Sequence, residues 1–138
     1  MEGVPLFNQP EKMKLSGHDQ AVMATAQDAL ATKVYASGLN YFQDNYSKLF
    51  ATNKRKMYPI INRGTWARVQ AYRQYLLQFL NAFKNHEQPL TVLNLGAGYD
   101  TTFFWLHDNH PDLAQKVIWI EIDYDVVVKK KTEIIKKT

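Results

Sequence analysis

Gly96-Ala97-Gly98 follows the apolar run Val92, Leu93, Leu95 and precedes the polar, helix-opening segment Asp100-Thr101-Thr102. Glycines at a strand-to-helix junction let backbone approach a ligand closely, and the N–H groups of the following helix terminus face that ligand. The chemistry such a junction serves is the binding of a nucleotide-like molecule. A glycine pair alone is weak support, and acids further along the chain strengthen it. Glu121 and Asp123 end a second apolar segment, and Asp123 lies 25 positions beyond Gly98. A carboxylate at the end of the second strand of a βαβ unit accepts from both vicinal hydroxyls of a ribose. The order strand, glycine turn, helix, strand, acid therefore favours an adenosine site over a glycine pair that only turns the chain.

Two cofactor classes use this order. Dinucleotides need a small third residue in G-x-G-x-x-G, where this chain has Thr101, preceded by Asp100. An acid beside a pyrophosphate is electrostatically unfavourable. S-adenosylmethionine carries no phosphate and has a positive sulfonium, so the pattern favours a methyl donor over NAD. Other chemistry-bearing residues give weaker signals. Lys33 and Arg73 read as solvated side chains. Arg68 falls near the expected start of a helix, where the dipole favours anions, so a cation there invites a search for an anionic partner. His107 and His110 fall in a turn-like His-Asp-Asn-His-Pro segment with no third ligand, so no metal site is expected.

The elements that must position these groups are read from periodicity. Residues 1–17 carry Pro5, Pro10 and Gly17 without a sustained period and read as an irregular leader. A helix is expected from Asp19 to Ser37, with Asp28 as a possible cap and Gly38 as the stop. Tyr41, Phe42, Tyr46, Leu49 and Phe50 have approximate helical spacing and read as a packing surface. The connector of residues 51–58 is basic and polar. The longest helix is expected from Thr65 to Lys84, with Trp66, Val69, Tyr72, Leu76, Leu80 and Phe83 on one stripe. Thr101 to His107 forms the next helix and His107 to Pro111 a loop. Lys116 to Asp123 is a strand apolar on both faces, as for a parallel strand covered by helices on either side. Asp125 caps a last helix from Val126 to Lys137.

A length of 138 residues suits one modest domain, and the absence of cysteine removes disulfides, thiolate ligands and thiol nucleophiles. The net charge of +4 is concentrated in Lys129, Lys130, Lys131, Lys136 and Lys137. These read as a solvated helix face, and nucleic acid is not expected as a partner. No stretch is long and apolar enough to cross a bilayer, so a cytoplasmic protein is expected and no membrane partner.

From about Thr25 onward the sequence resembles the leucine carboxyl methyltransferase family. The resemblance rests on Asp28-Ala29-Leu30 leading to Lys33, Tyr41-Phe42-Gln43-Asp44, Ile61-Asn62-Arg63-Gly64 with Ala67-Arg68-Val69, Leu95-Gly96-Ala97-Gly98-Tyr99-Asp100-Thr101-Thr102, and Glu121-Ile122-Asp123. It implies an α/β class I S-adenosylmethionine-dependent methyltransferase (Rossmann-like) fold, truncated. Residues 18–58 would form an N-terminal helical lid and 59–138 the first part of the Rossmann-like domain. The implied cofactor is S-adenosyl-L-methionine. Lys33 and Arg68 match positions that meet its methionine carboxylate, Gly96 its backbone-approach glycine and Asp123 its ribose acid, with Gly98 a further cofactor-binding candidate in the same turn. The implied reaction forms a methyl ester on the C-terminal leucine α-carboxylate of the protein phosphatase 2A catalytic subunit, whose tail is the expected partner. No catalytic acid or base is assigned, because that carboxylate is already ionised. Two departures, Asn45 for proline and Tyr124-Asp125 for Phe-Pro, touch only turns. Alternatives are the related tRNA wybutosine-synthesising branch and a non-catalytic fragment that binds cofactor or phosphatase. The family's wide sheet has only its strands around the glycine turn here, so a fragment with little activity of its own is expected.

Overall fold

The computed structural model describes residues 16–52 and 55–137. Most of the leader expected over residues 1–17 lies outside the described residues, and its last two residues, Ser16 and Gly17, open a helix. The Ser16 side chain accepts from the Asp19 N–H while the Asp19 carboxylate accepts from the Ser16 N–H, a capping box that starts α1 (Gly17–Gly38). Asp28, the expected cap, sits exposed in the helix interior. The stop comes from Asn40 rather than Gly38: Asn40 has φ 60°, and the Tyr41 N–H returns to the Ala36 carbonyl.

The aromatic stretch does not continue as one helix. Asp44 Oδ1 accepts from the N–H groups of Tyr46 and Ser47, which turns the chain and leaves only the short α2 (Ser47–Phe50). Phe42 and Phe50 are buried, so the stretch does pack inward. Helix α3 (Pro59–Ala82) starts earlier than Thr65, because Pro59 occupies its first turn, where a missing N–H costs nothing. Its buried stripe is narrower than the spacing implies. Leu76 and Leu80 are buried, whereas Trp66, Tyr72 and Phe83 are exposed.

Strands β1 (Leu90–Leu95) and β2 (Val117–Ile122) pair in parallel, from Leu90 opposite Val117 to Leu95 opposite Ile122. Between them run α4 (Thr102–Asn109) and α5 (Pro111–Ala114), so the loop expected over 107–111 shrinks to His110. The result is a mixed α/β fold with a small parallel sheet. Leu90, Val92, Val117 and Trp119 point to one face, where they pack with Leu76, Leu80, Leu106 and Ala114. On the other face Leu93, Leu95, Ile118, Ile120 and Ile122 are exposed. The expectation of helices on both faces is therefore not met among the described residues. The alternating burial of both strands follows directly from this one-sided cover.

Helix α6 (Asp125–Ile135) follows β2, with Tyr124 at its N-cap. Asp125 does not cap it; its carboxylate accepts from Lys129 one turn later. A second core of Leu30, Phe50, Tyr99 and Val127 joins α1, α2, the glycine turn and α6. This cluster fixes the N-terminal helices over the carboxyl ends of the strands. No described helix is long and apolar enough to cross a membrane.

Candidate functional site

The turn after β1 is fastened to β2 by backbone. Gly96 N–H and Ala97 N–H both donate to the Ile122 carbonyl, at 2.8 and 3.2 Å. Gly96 and Gly98 have φ of 64° and 51°, left-handed conformations that disfavour any residue with a Cβ. Their surroundings differ. A Cβ on Gly96 would meet nothing within 4 Å, so its backbone is open to a ligand. A Cβ on Gly98 would sit 3.4 Å from that of Ala26, so this glycine lets α1 pack close over the turn.

Asp123 leaves the end of β2 and turns back to the same loop. One carboxylate oxygen accepts from the Gly98 N–H at 2.6 Å and the other from the Tyr124 N–H at 2.7 Å. Each oxygen keeps a lone pair for a further donor, so the group can fix the turn and still accept a hydroxyl.

Beyond the turn, Asp100 is the centre of a polar network. Its Oδ1 accepts from Lys33 Nζ at 3.2 Å and from the Thr102 hydroxyl at 3.0 Å, and its Oδ2 accepts from the Thr102 N–H at 3.1 Å. Burial pushes this carboxyl up, but the Lys33 ammonium and the Thr102 donors outweigh it and hold it below its ordinary value. Lys33 also donates to Thr101 Oγ1, which in turn donates to Asp44 Oδ2 at 2.7 Å. Asp44 is 3.8 Å from Lys33 and its side chain is 1% exposed. Lys33 is thus not a solvated lysine. It ties α1 to the loop after the glycine turn.

Arg68 lies in the middle of α3, not at its start, so the dipole argument no longer bears on it. It is exposed and makes no hydrogen bond or ion pair with any described residue. Arg73, read as a surface residue, is buried: its guanidinium stacks 4.3 Å from the Trp105 ring centroid and donates to the Gln43 carbonyl. Burial lowers its pKa, against the pull of Asp44 and Asp100.

Lys33, Arg68, Gly96, Gly98 and Asp123 all border one cavity of about 440 Å³ between α1, α3 and the carboxyl ends of β1 and β2. Val22, Met23 and Ala26 of α1 and Tyr99 and Tyr124 supply its apolar wall. Tyr72 also lines it, and the partial burial of its phenol, with the charges of Asp100 and Glu121, pushes its pKa up. The cavity thus offers cations on its helical walls, a carboxylate at the strand end and an apolar surface between them. That suits a ligand with an anionic group, hydroxyls and an apolar body. Glu121, the other candidate acid, turns away and pairs with Lys131. Among the described residues no group of His, Cys, Asp and Glu could hold a metal ion. His110 stacks edge-on against Trp105.

Three residues escape a reading of types and spacing. Asp44 only interrupts an aromatic run; its position three before Ser47 is the local signal for a helix-start bond. Thr101 looks like a failed third glycine, and Lys131 is one of several lysines in a row.

The fold is mixed α/β, with a helix-walled crevice outside the carboxyl ends of a small parallel strand pair as its candidate site. The chain belongs to the leucine carboxyl methyltransferase family, a family of methyltransferases whose model matches residues 21–138. It is 38% identical over 120 residues to Leucine carboxyl methyltransferase 1 homolog of Arabidopsis thaliana, covering 86% of this chain and 34% of that protein. To Leucine carboxyl methyltransferase 1 of Bos taurus it is 39% identical over 119 residues, covering 86% and 34%. It is also similar to tRNA wybutosine-synthesizing protein 4 of Aspergillus oryzae, at 29% over 117 residues, covering 85% of this chain and 11% of that one. The chain spans about a third of the length of the leucine carboxyl methyltransferases named here.

Proposed function

We propose that this chain forms the S-adenosyl-L-methionine-binding part of a Rossmann-like, cytoplasmic carboxyl methyltransferase. Its acceptor is the C-terminal leucine α-carboxylate of the protein phosphatase 2A catalytic subunit. The observation that carries the reading is the meeting of Lys33, Arg68, Gly96, Gly98 and Asp123 around one cavity. These residues come from α1, α3, the turn and the end of β2, far apart in sequence.

The residues fit the cofactor chemically. Gly96 presents open backbone and Asp123 has lone pairs left for ribose hydroxyls. Arg68 is a cation without a described partner, suited to the methionine carboxylate, with Lys33 lining the same cavity from α1. When bound, S-adenosylmethionine supplies a methyl group on a sulfonium sulfur. The acceptor carboxylate has a pKa of about 3.5 and needs no base. The task of this chain is then to hold the donor side rigid and to exclude water from the nucleophile. Ala26 of α1, packed over Gly98, serves the second purpose as part of an N-terminal lid.

A protein acceptor is favoured over tRNA by the match of residues 21–138 to the leucine carboxyl methyltransferase model. Of the α6 lysines, Lys131 is buried and Lys129 is paired with Asp125. Isothermal titration of the purified chain with S-adenosylmethionine and, separately, with NAD tests the reading. Saturable binding of the first and none of the second is expected; the reverse would overturn it. Salt-sensitive binding of tRNA would move the acceptor to RNA.

A further inference from the structure

We infer that Lys131 is a positioning residue for the cofactor turn, acting from outside the cavity through the Asp100 main chain. The inference rests on the reading of the cavity as a cofactor site. Lys131 is 5% exposed, although it stands in a run whose neighbours Lys129 and Lys130 are exposed. It occupies the inner stripe of α6 with Val127, one turn earlier, where an aliphatic residue would pack at no desolvation cost. Its ammonium instead makes two bonds: to Glu121 Oε2 at 2.5 Å and to the Asp100 carbonyl at 2.7 Å.

A buried ion pair is weak support for stability, since desolvation offsets much of the attraction. It does fix geometry, because each donor direction is satisfied by one partner only. The Glu121 bond anchors Lys131 to β2, and Trp119 Nε1 holds the other Glu121 oxygen at 3.3 Å. The Asp100 bond then transmits that anchor to the loop. Asp100 is held on its side chain by Lys33 from α1 and on its main chain by Lys131 from α6. With Gly96 and Ala97 bonded to Ile122, and Gly98 to Asp123, the segment from Gly96 to Asp100 is fastened at both ends. Lys131 does not line the large cavity. It borders a separate cavity of about 70 Å³ that also touches Gly98, Glu121 and Asp123. It therefore acts on the ligand only through the turn.

The experiment compares the parent chain, Lys131→Met, and the double variant Lys131→Met with Glu121→Gln. Thermal unfolding, amide hydrogen exchange at Gly98 to Thr102 without ligand, and calorimetric S-adenosylmethionine affinity are measured on each. Lys131→Met should lower the melting temperature by leaving Glu121 without a cation. The double variant should recover most of that loss, since no unpaired charge stays buried. Its exchange at Tyr99 to Thr102 should nevertheless stay at least tenfold faster than in the parent, and its affinity about tenfold weaker. Parent-like exchange in the double variant would overturn the inference and reduce Lys131 to charge compensation. The exchange result stands even if the parent binds no cofactor, an outcome that would sink the cofactor reading alone.

Discussion

The two helical walls of the cavity each contribute a cation, and the two are held very differently. Lys33 on α1 is bonded to Asp100 and Thr101 and lies near Asp44, with 13% of its side chain exposed. Arg68 on α3 is exposed and has no described partner. The difference separates two tasks that the same charge can perform. Lys33 organises the loop by neutralising the fold's own carboxylates, so only part of its charge remains for a ligand. Arg68 contributes nothing visible to the fold and has its whole charge available.

The largest effect that would sharpen this contrast is expected from Lys33→Met. Removing the cation leaves Asp44 and Asp100 with no ammonium between them, and breaking such a pair one-sidedly costs about 3 kcal/mol. Urea unfolding should show that loss; a variant as stable as the parent would place Lys33 with Arg68 as a free charge.

A smaller effect concerns pH. The Asp100 carboxyl is held below its ordinary value, burial raising it and Lys33 with Thr102 lowering it more. A depressed folded-state pKa contributes stability that is fully present above the unfolded value of about 3.9 and is lost as pH falls through the folded one. The melting temperature should therefore decline below about pH 4 from this group. In Lys33→Met this decline should shrink or vanish, because without the chief lowering charge burial raises the folded value toward the unfolded one. Identical pH profiles for the two chains would contradict the network.

What the sequence made legible follows from how local each signal is. The glycine turn and both strands could be read because an apolar run, two glycines and a following acid are neighbours along the chain or in one βαβ unit. The burial of Lys131 and Arg73 could not. Each is decided by what a distant element places opposite it: Glu121 and Asp100 for one, Trp105 and Gln43 for the other. The start of α3 lies ahead of Thr65 because Pro59, which disfavours helix for the residue before it, is itself favoured in a first helical turn. Exposed apolar surface is expected of an isolated parallel strand pair, but which sheet face is bare is decided by tertiary packing. Ile118, Ile120 and Ile122 have the composition of buried strand residues, and composition alone does not say which face is covered. Of the five residues that border the cavity, Gly96, Gly98 and Asp123 are legible by type and spacing, whereas Lys33 reads as an ordinary solvated lysine.

The smallest structural perturbation gives the sharpest test of the central claim, that this cavity takes an anionic cofactor group on Arg68. Arg68→Ala and Arg63→Ala both remove an exposed arginine from α3, but only Arg68 borders the cavity. Calorimetric titration with S-adenosylmethionine should show affinity about tenfold or more weaker in Arg68→Ala, on the scale of one charged hydrogen bond. Arg63→Ala should bind as the parent does, and both variants should melt at the parent temperature. Equal affinities in Arg68→Ala and Arg63→Ala would remove Arg68 from the site and contradict the account.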